Sequence, residues 1–539
     1  MPTIQFKGKN IIWNHHLSVP YHTLEEVKEL HIQPEKADGN LIVEGDNLIA
    51  LKALLPEYAG KVKCIYIDPP YNTGDDNGSG KGWIYNDNVN SPLIQEWLKK
   101  EVGSDDLAKH DKWLCMMVPR LKLLRDLLDN DGVILISINY KYEHANLKMI
   151  CNEIFGENNY IGELTWESTT QPINSGSARF GLQQKIEPIL FYAKDKSNIK
   201  GFNLVEIDTG LTYPHSGKLG SCRFEIIEKS DAGSYQRDTM KFEILGQKPR
   251  KGKRWQIGEE TAIDLVARDR IEIVDGVIKK AVYPEDELDK RSFIPFWSHF
   301  SASEYGSAQT GKDTLNETMG YAVGFDTVKP VDLIKKFISF LNKDIIVLDS
   351  FAGSGTTMHA VNELNKEDGG NRKCILVQMK EDSEKEPDKN ICKDITRERN
   401  KRAIEKFKYN TGFKYFRVGN AIDPDKMLDG QLPTYEEFSK YVYYLATGEH
   451  LADVKKIDQK KHFVGTHGPK NFYLIYEQDF DKLTRLALNL HIAEDMKKHA
   501  INKRMVVYAP ACFLDSEYLD EKQIEFVSIP YNLFEKKEK

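Results

Sequence analysis

The stretch that most constrains this chain is a short one. Cys64-Ile65-Tyr66-Ile67 is apolar without alternation, and Asp68-Pro69-Pro70-Tyr71 cuts it off abruptly. A strand apolar on both faces must be covered on both faces, which is the condition of a parallel sheet between helical layers. Its neighbours agree. Leu41-Ile42-Val43 reads as a strand, and the helix after it, from 47 to 58, carries Leu48, Leu51, Leu54 and Leu55 at helical spacing. Trp113 to Leu128 reads as an amphipathic helix, Asp131-Gly132 as a turn, and Val133 to Ile138 as a second buried strand. Glu143 to Phe155 follows as a helix, with strands at Tyr160 to Trp166 and Ile189 to Ala193. The expected class is α/β.

Near residue 195 the character changes. Charge rises, helical periodicity fades and short β-like runs appear, such as Ile271-Glu272-Ile273-Val274. The alternation returns near 305. Pro330 to Leu341, His359 to Asn365 and Asp394 to Phe407 read as helices, with strands at Ile345 to Leu348 and Lys373 to Val377. One sheet built from two separated stretches is therefore expected, as a first half over 1–195, an insertion over 196–305 and a second half over 306–418. A small α+β C-terminal domain over 419–539 follows, and its last residues, Glu535 to Lys539, are expected to fray. Four such units suit 539 residues.

Composition excludes several classes. A hydrophobic fraction of 40% and a charged fraction of 29% are those of a globular chain, not a disordered or collagen-like one. No apolar run approaches the ~20 residues of a membrane span, and Met1 to Asn10 lacks the layout of a signal peptide. The seven cysteines form no CxxC pair, which speaks against a disulfide framework or structural zinc and for a reducing, cytoplasmic setting. No metal-ligand cluster is visible in the sequence. The net charge of −7 leaves nucleic acid open as a partner, because a local basic face is what neutralises phosphates.

Two motifs carry chemistry. Asp349-Ser350-Phe351-Ala352-Gly353-Ser354-Gly355-Thr356-Thr357 lies between a strand and a helix. Gly353 and Gly355 permit a tight turn and close backbone approach to a ligand, as a nucleotide-type site needs. No Gly-Lys-Ser/Thr follows, so this is not a phosphate-binding P-loop. Taken alone, it also reads as an ordinary Gly-rich turn. The second motif, Asp68-Pro69-Pro70-Tyr71, stands where open α/β sheets bind ligands. Its prolines stiffen the loop and remove two donors, leaving carbonyls to accept. A carboxylate, a carbonyl and an aromatic ring together suit a planar group bearing an NH2. Alone, this too reads as a rigid turn with a capping Asp.

The pair resembles the amino-directed DNA methyltransferases that use S-adenosylmethionine. The order, with Asp68-Pro69-Pro70-Tyr71 almost 300 residues ahead of the Gly loop, resembles the β class, whose target recognition domain lies between the two halves. The match extends to Leu41 through Leu48, to Asn72-Thr73-Gly74, and to Asp131-Gly132 with Ile136-Ser137-Ile138. It also takes in Phe155-Gly156-Glu157, Lys329-Pro330 and the closing Ile529-Pro530-Tyr531-Asn532-Leu533-Phe534. These are similar to the Mod subunits of type III restriction–modification systems. Coverage is most of the chain and weakest from 195 to 305. The family's two acids after the strand ending at Ile138 are replaced by Asn139 and Tyr140, and its His-Glu pair before residue 189 by Ile186-Glu187.

The resemblance implies a Rossmann-like methyltransferase sheet, N6 of adenine in duplex DNA as the target, and base flipping. Asp68, Pro69, Pro70 and Tyr71 are the implied catalytic segment, with Asp68 and the Pro69 carbonyl accepting the amine's hydrogens and Tyr71 stacking on the ring. Asp46, Asp68, Lys329, Pro330, Asp349, Phe351, Ala352, Gly353, Ser354, Gly355, Thr356 and Gln378 are the implied cofactor residues. Gln378 occupies the place of the ribose-binding acid, with Glu381 nearby. Asp46 also reads as a helix N-cap, and Pro330 as a first-turn proline. A homodimer and a separate Res subunit carrying ATPase and nuclease functions are implied partners. N4 of cytosine, a non-catalytic DNA-recognition subunit, and an RNA or small-molecule methyltransferase are the alternatives.

Within the insertion, Lys248, Arg250, Lys251, Lys253, Arg254 and Trp255 place five cations and an aromatic in one short run. It suits phosphate contacts or base-edge reading; a solvated loop is the plain alternative. Arg397, Arg399, Lys401 and Arg402 read as an exposed, charged helix face.

Overall fold

A computed structural model describes residues 2–72, 109–172, 182–203, 205–207, 212–232, 237–287, 292–294, 296–325, 327–381, 388–423, 427, 429–500 and 503–529. Thr73, Gly74, the segment Pro530 to Phe534 and the tail Glu535 to Lys539 lie outside them. The chain forms two compact units, Met1–Asn203 with Ser298–Lys539, and Leu204–Trp297.

The first unit is organised by a ten-stranded sheet. Its strands are β1 (Tyr21–Glu26), β2 (Leu41–Glu44), β3 (Val62–Ile67), β4 (Leu128–Ser137), β5 (Tyr160–Glu167), β6 (Ile186–Ala193), β7 (His299–Phe300), β8 (Ile346–Asp349), β9 (Lys373–Gln378) and β10 (Lys414–Ile422). Their spatial order is β1-β10-β2-β9-β8-β3-β4-β6-β5-β7. The centre, from β10 to β4, is parallel. The pairings β4 with β6 and β6 with β5 are antiparallel. Strands β8 and β9, from the second half of the sequence, lie between β2 and β3 from the first. Val347 faces Cys64, and Gln378 faces Glu44. The two halves are thus interleaved, and neither makes the sheet alone.

The helices cover this sheet as the apolar strands require. They are α1 (Asn47–Tyr58), α2 (Lys109–Leu127), α3 (His144–Phe155), α4 (Val331–Ser339), α5 (Thr356–Asp368) and α6 (Glu398–Phe407). Val43, Ile65, Ile134, Leu348 and Ile375 share one core with Leu51, Leu54 and Leu121 of the helices. Burial of this kind contributes ~25 cal/mol per Å² of apolar area. The residues Asp131-Gly132 do not form the expected turn. They sit inside β4, where the register slips between Val62 paired to Leu128 and Cys64 paired to Val133. Lys63 on the neighbouring strand pairs with both Asp129 and Asp131, which favours the bulge over a break.

The C-terminal part carries a second, four-stranded sheet of β11 (Phe463–His467), β12 (Lys470–Leu474), β13 (Arg504–Ala509) and β14 (Ile524–Ser528), preceded by helix α7 (Tyr435–Thr447). Phe438 and Val442 of α7 join the main core.

The second unit, Leu204–Trp297, has a four-stranded antiparallel sheet with the order Ile271–Val274, Val277–Val282, Gly220–Ile226, His215–Gly217. A pair formed by Glu228–Ser230 and Lys253–Trp255 and the helix Glu259–Ala267 accompany it. Ile227, Ile244, Trp255, Ala262, Ile271 and Ile278 form its core.

Candidate active site

The interleaving sets the site. Four adjacent strands, β2, β9, β8 and β3, end on Glu44, Gln378, Asp349 and Ile67. The segments that leave them carry Asp46, Glu381, the Gly loop and Asp68. Residues far apart in sequence therefore line one edge, the carboxyl end of a parallel sheet.

The Gly loop is held on all sides. Asp349 accepts from the Phe351 N–H at 3.0 Å and from the Thr357 hydroxyl at 2.5 Å. Burial pushes its carboxyl up to about 7. Gly353 and Gly355 have φ of +51° and +79°, the left-handed region that disfavours side chains. A Cβ on Gly355 would collide with Asn400 Nδ2 at 2.5 Å. On Gly353 it would meet the Phe351 carbonyl oxygen at 3.9 Å and Phe325 at 4.0 Å, ordinary contacts, so there the backbone angle and not crowding favours glycine. The Gln378 amide accepts from the Gly353 N–H at 2.7 Å and donates to Glu381 at 2.9 Å. Burial raises the Glu381 carboxyl above its usual range.

The support beneath this loop left no mark that sequence reasoning could use. Thr396 donates to the Gly353 carbonyl at 2.6 Å. Arg399 donates from Nη1 to Ser354 Oγ at 2.7 Å and to Thr356 Oγ1 at 2.6 Å. The exposed-face reading of 397–402 is therefore corrected: Arg399 is fully buried, and burial brings its guanidinium down to about 9. The face of α6 that carries it turns inward because Ala403 and Ile404 lie in the interior beside it. Asp46 caps α1 through the Leu48 N–H at 2.8 Å, and its other oxygen lies 3.3 Å from Arg120 Nη2. Asn47 donates to the Ser350 carbonyl at 3.0 Å and accepts from Arg120 Nε. Neither Asn47 nor Arg120 carried a signal in sequence, since their partners lie on other elements.

The Asp68 side is a compact charged cluster. The Tyr71 hydroxyl donates to Asp68 Oδ1 at 2.7 Å and lies 3.1 Å from Glu187 Oε2. Lys329 Nζ lies 2.9 Å from Asp68 Oδ2, 2.8 Å from the Tyr71 oxygen and 3.3 Å from Glu187 Oε2. Burial would lower the Lys329 ammonium, but the Asp68 and Glu187 carboxylates more than offset it and hold it above its usual value. Burial, reinforced by those carboxylates, keeps the Tyr71 phenol well above its own. Trp113 Nε1 donates to the Pro70 carbonyl at 2.7 Å. Asn72 takes a left-handed φ of 59°, and its amide donates to Glu143, which also accepts from Asn146 at 2.8 Å and lies 2.7 Å from His110 Nδ1. This buried knot pins the chain just beyond Tyr71. Pro330 is the N-cap of α4, and Phe351 and Ala352 are buried.

A family model for DNA methylases matches residues 62–404, a span that contains both motifs and the insertion. The chain belongs to the DNA methylase family. It is an enzyme, a DNA methyltransferase, and S-adenosylmethionine is its methyl donor. The methylase is 30% identical over 465 residues to the Mod subunit of the type III restriction–modification enzyme EcoP15I of Escherichia coli, covering 74% of this chain and 69% of that one. It is 32% identical over 434 residues to the StyLTI Mod subunit of Salmonella typhimurium, with 74% and 62% covered. The type II methyltransferase M.KpnI of Klebsiella pneumoniae is 29% identical, over 66% of this chain and 84% of its own length. The chain thus spans about two thirds of the Mod relatives.

The loop fits such a donor. Gly353 brings no side chain to the loop, and Asp46 and Glu381, which follow β2 and β9, are carboxylates that could meet polar groups of a cofactor. The Gln378 amide oxygen is committed to the loop through the Gly353 N–H.

The basic run of the second unit behaves unevenly. Lys248, Arg250 and Lys251 are exposed, although Arg250 Nε lies 2.6 Å from Glu228. Lys253 and Arg254 are half-buried, and Arg254 faces Asp231 at 3.6 Å. Trp255 is corrected as a DNA-contacting aromatic. It is 1% exposed, its indole N–H donates to the Phe242 carbonyl at 2.8 Å, and it anchors the unit's core.

Proposed function

We propose that the methylase transfers a methyl group from S-adenosylmethionine to N6 of adenine in duplex DNA, as the modification subunit of a type III restriction–modification system. The observation that carries this reading is the position of Asp68 and Tyr71 at the end of β3, directly beside the Gly loop that follows β8. Identity to two Mod subunits supports it.

When bound, the cofactor would supply an electrophilic methyl group on a sulfonium sulfur, whose S–C bond breaks as the N–C bond forms and whose sulfur leaves as a neutral thioether. Asp46 and Glu381 would hold it, with Gly353 presenting no side chain to it and Phe351 and Ala352 closing the pocket wall. Asp68 and the Pro69 carbonyl accept the two N–H bonds of the adenine amine. That favours a pyramidal nitrogen and exposes its lone pair. Asp68 then takes the proton that the nitrogen sheds as the N–C bond forms. Fixed carboxylate and carbonyl dipoles aimed at developing positive charge are an efficient form of catalysis, and alignment of the two reactants adds to it. The base must leave the stack to reach Asp68, and Tyr71 offers it an aromatic face.

The inserted unit, Leu204–Trp297, is assigned target recognition, with Lys248 and Lys251 on the phosphate backbone. A homodimer, a separate Res subunit and a cytoplasmic setting belong to the same proposal. The 84% coverage of M.KpnI supports a second reading, in which the protein methylates without a restriction subunit.

The test is transfer from labelled S-adenosylmethionine to unmodified duplex DNA, with the product base identified. N6-methyladenine on one strand of an asymmetric site is expected. N4-methylcytosine would overturn the base assignment, and no transfer would overturn the reading.

A further inference from the structure

Asp68 has two oxygens, and both have donors in this structure. Oδ1 accepts from the Tyr71 hydroxyl at 2.7 Å, and Oδ2 accepts from the Lys329 ammonium at 2.9 Å. A nitrogen that gains positive charge as it is methylated cannot share Oδ2 with a fixed ammonium, because like charges at this range repel strongly away from bulk water. The same ammonium lies 3.3 Å from Glu187 Oε2. One carboxylate suffices to neutralise one lysine, yet two flank this one.

The flanking rings extend the arrangement. Lys329 Nζ lies 5.2 Å from the centre of the Tyr71 ring and 5.4 Å from that of Trp166. Trp166 is the cross-strand partner of Glu187, and its indole N–H is tied to the Gly306 carbonyl at 2.8 Å. Aromatic faces stabilise a cation within about 6 Å, so two rings support the ammonium where it lies between the two carboxylates. A lysine end is a compact charge on a flexible stem, suited to such a step.

We propose that Lys329 is a positioning residue whose ammonium holds the place of the target amine on Asp68, and that Glu187 is the second seat to which it moves when the base arrives. The departing charge leaves Oδ2 to the incoming N–H. In the absence of DNA it holds the Asp68 carboxylate in place through Oδ2, as the Tyr71 hydroxyl does through Oδ1. This rests on the reading of Asp68 as the amine acceptor.

The test is the KM for duplex DNA and kcat of full-length variants, measured where chemistry limits turnover so that KM reports binding. E187Q removes the second seat and leaves the ammonium on Asp68. Its KM is expected to rise about tenfold, the size of an ordinary coupling between touching residues, with a smaller change in kcat. The double variant K329M/E187Q removes the competitor together with its seat, and its KM is expected to return to within about threefold of the wild type. It also loses one charge of each sign, which favours folding. E187D, with the carboxylate drawn back by one methylene, is expected to fall between E187Q and the wild type. The urea unfolding midpoint reports that each variant is folded. A wild-type KM in E187Q, or a double variant that keeps the raised KM, overturns the inference while leaving the function intact. A wild-type protein that transfers no methyl group to DNA overturns the function and this inference with it.

Discussion

The Asn47 amide donates to the Ser350 carbonyl at 3.0 Å, across 303 residues of sequence. It ties the first turn of α1, from one half of the chain, to the Gly loop of the other. Arg120 completes the junction by donating to Asn47 and lying 3.3 Å from Asp46. The cofactor side of the site is thus assembled by a bond between the halves.

Asn47→Ala is therefore expected to lower unfolding stability by about 1–3 kcal/mol, since it takes a partner from a buried carbonyl and from the Nε–H of the buried Arg120. It should weaken S-adenosylmethionine binding as well. Chemical denaturation with a cofactor titration checks both, and an unchanged cofactor affinity would show that the loop holds its shape without this bond.

Asp68→Ala should reduce methyl transfer by at least about a hundredfold, the usual cost of removing an acceptor aimed at developing charge. Cofactor binding should survive, because Asp46, Gly353 and Glu381 are untouched. Normal turnover in this variant would remove Asp68 from the chemistry.

Asp349 provides a pH signature. Its carboxyl is raised from 3.8 to about 7 by burial. Between those values the folded protein holds a proton that the unfolded chain has released, so this residue's contribution to stability falls as pH rises through that window. Asp349→Asn should flatten that part of the profile. Urea midpoints across the window, compared between wild type and variant, provide the check; parallel profiles would show that Asp349 titrates normally.

The basic run should divide by exposure. Lys248→Ala with Lys251→Ala is expected to lower the slope of log affinity against log salt by about 0.9 for each phosphate that the variant no longer neutralises. Trp255→Ala should instead destabilise the inserted unit by about 3–5 kcal/mol, as large buried truncations do. Salt-dependent DNA binding and thermal unfolding separate the two effects. An unchanged slope would take Lys248 and Lys251 off the phosphate backbone.

Much of this molecule is legible in one dimension. The apolar runs at 64–67 and 133–138 announce buried strands, and the leucines of α1 announce its covering face, because burial on a sheet or helix is written as periodicity. Asp68-Pro69-Pro70-Tyr71 and the Gly loop are legible as motifs, because a rigid turn and a left-handed backbone each demand particular residues. Arg399 and Trp255 mislead for a shared reason. Arginine among charges and tryptophan beside lysines both look exposed along a chain, and only packing decides that one braces a loop and the other fills a core.

Local patterning thus suffices to establish an α/β sheet in two stretches and to say which loops carry the reactive groups. Folding in three dimensions was needed for the rest: β8 and β9 enter between β2 and β3, so that Asp46, the Gly loop and Asp68 share one edge. It also brings Lys329 and Glu187 to Asp68, at separations of 261 and 119 positions. The reason is physical. Periodicity records what each segment must bury, while the choice of neighbour depends on strand pairing and side-chain fit between segments that carry no local trace of one another.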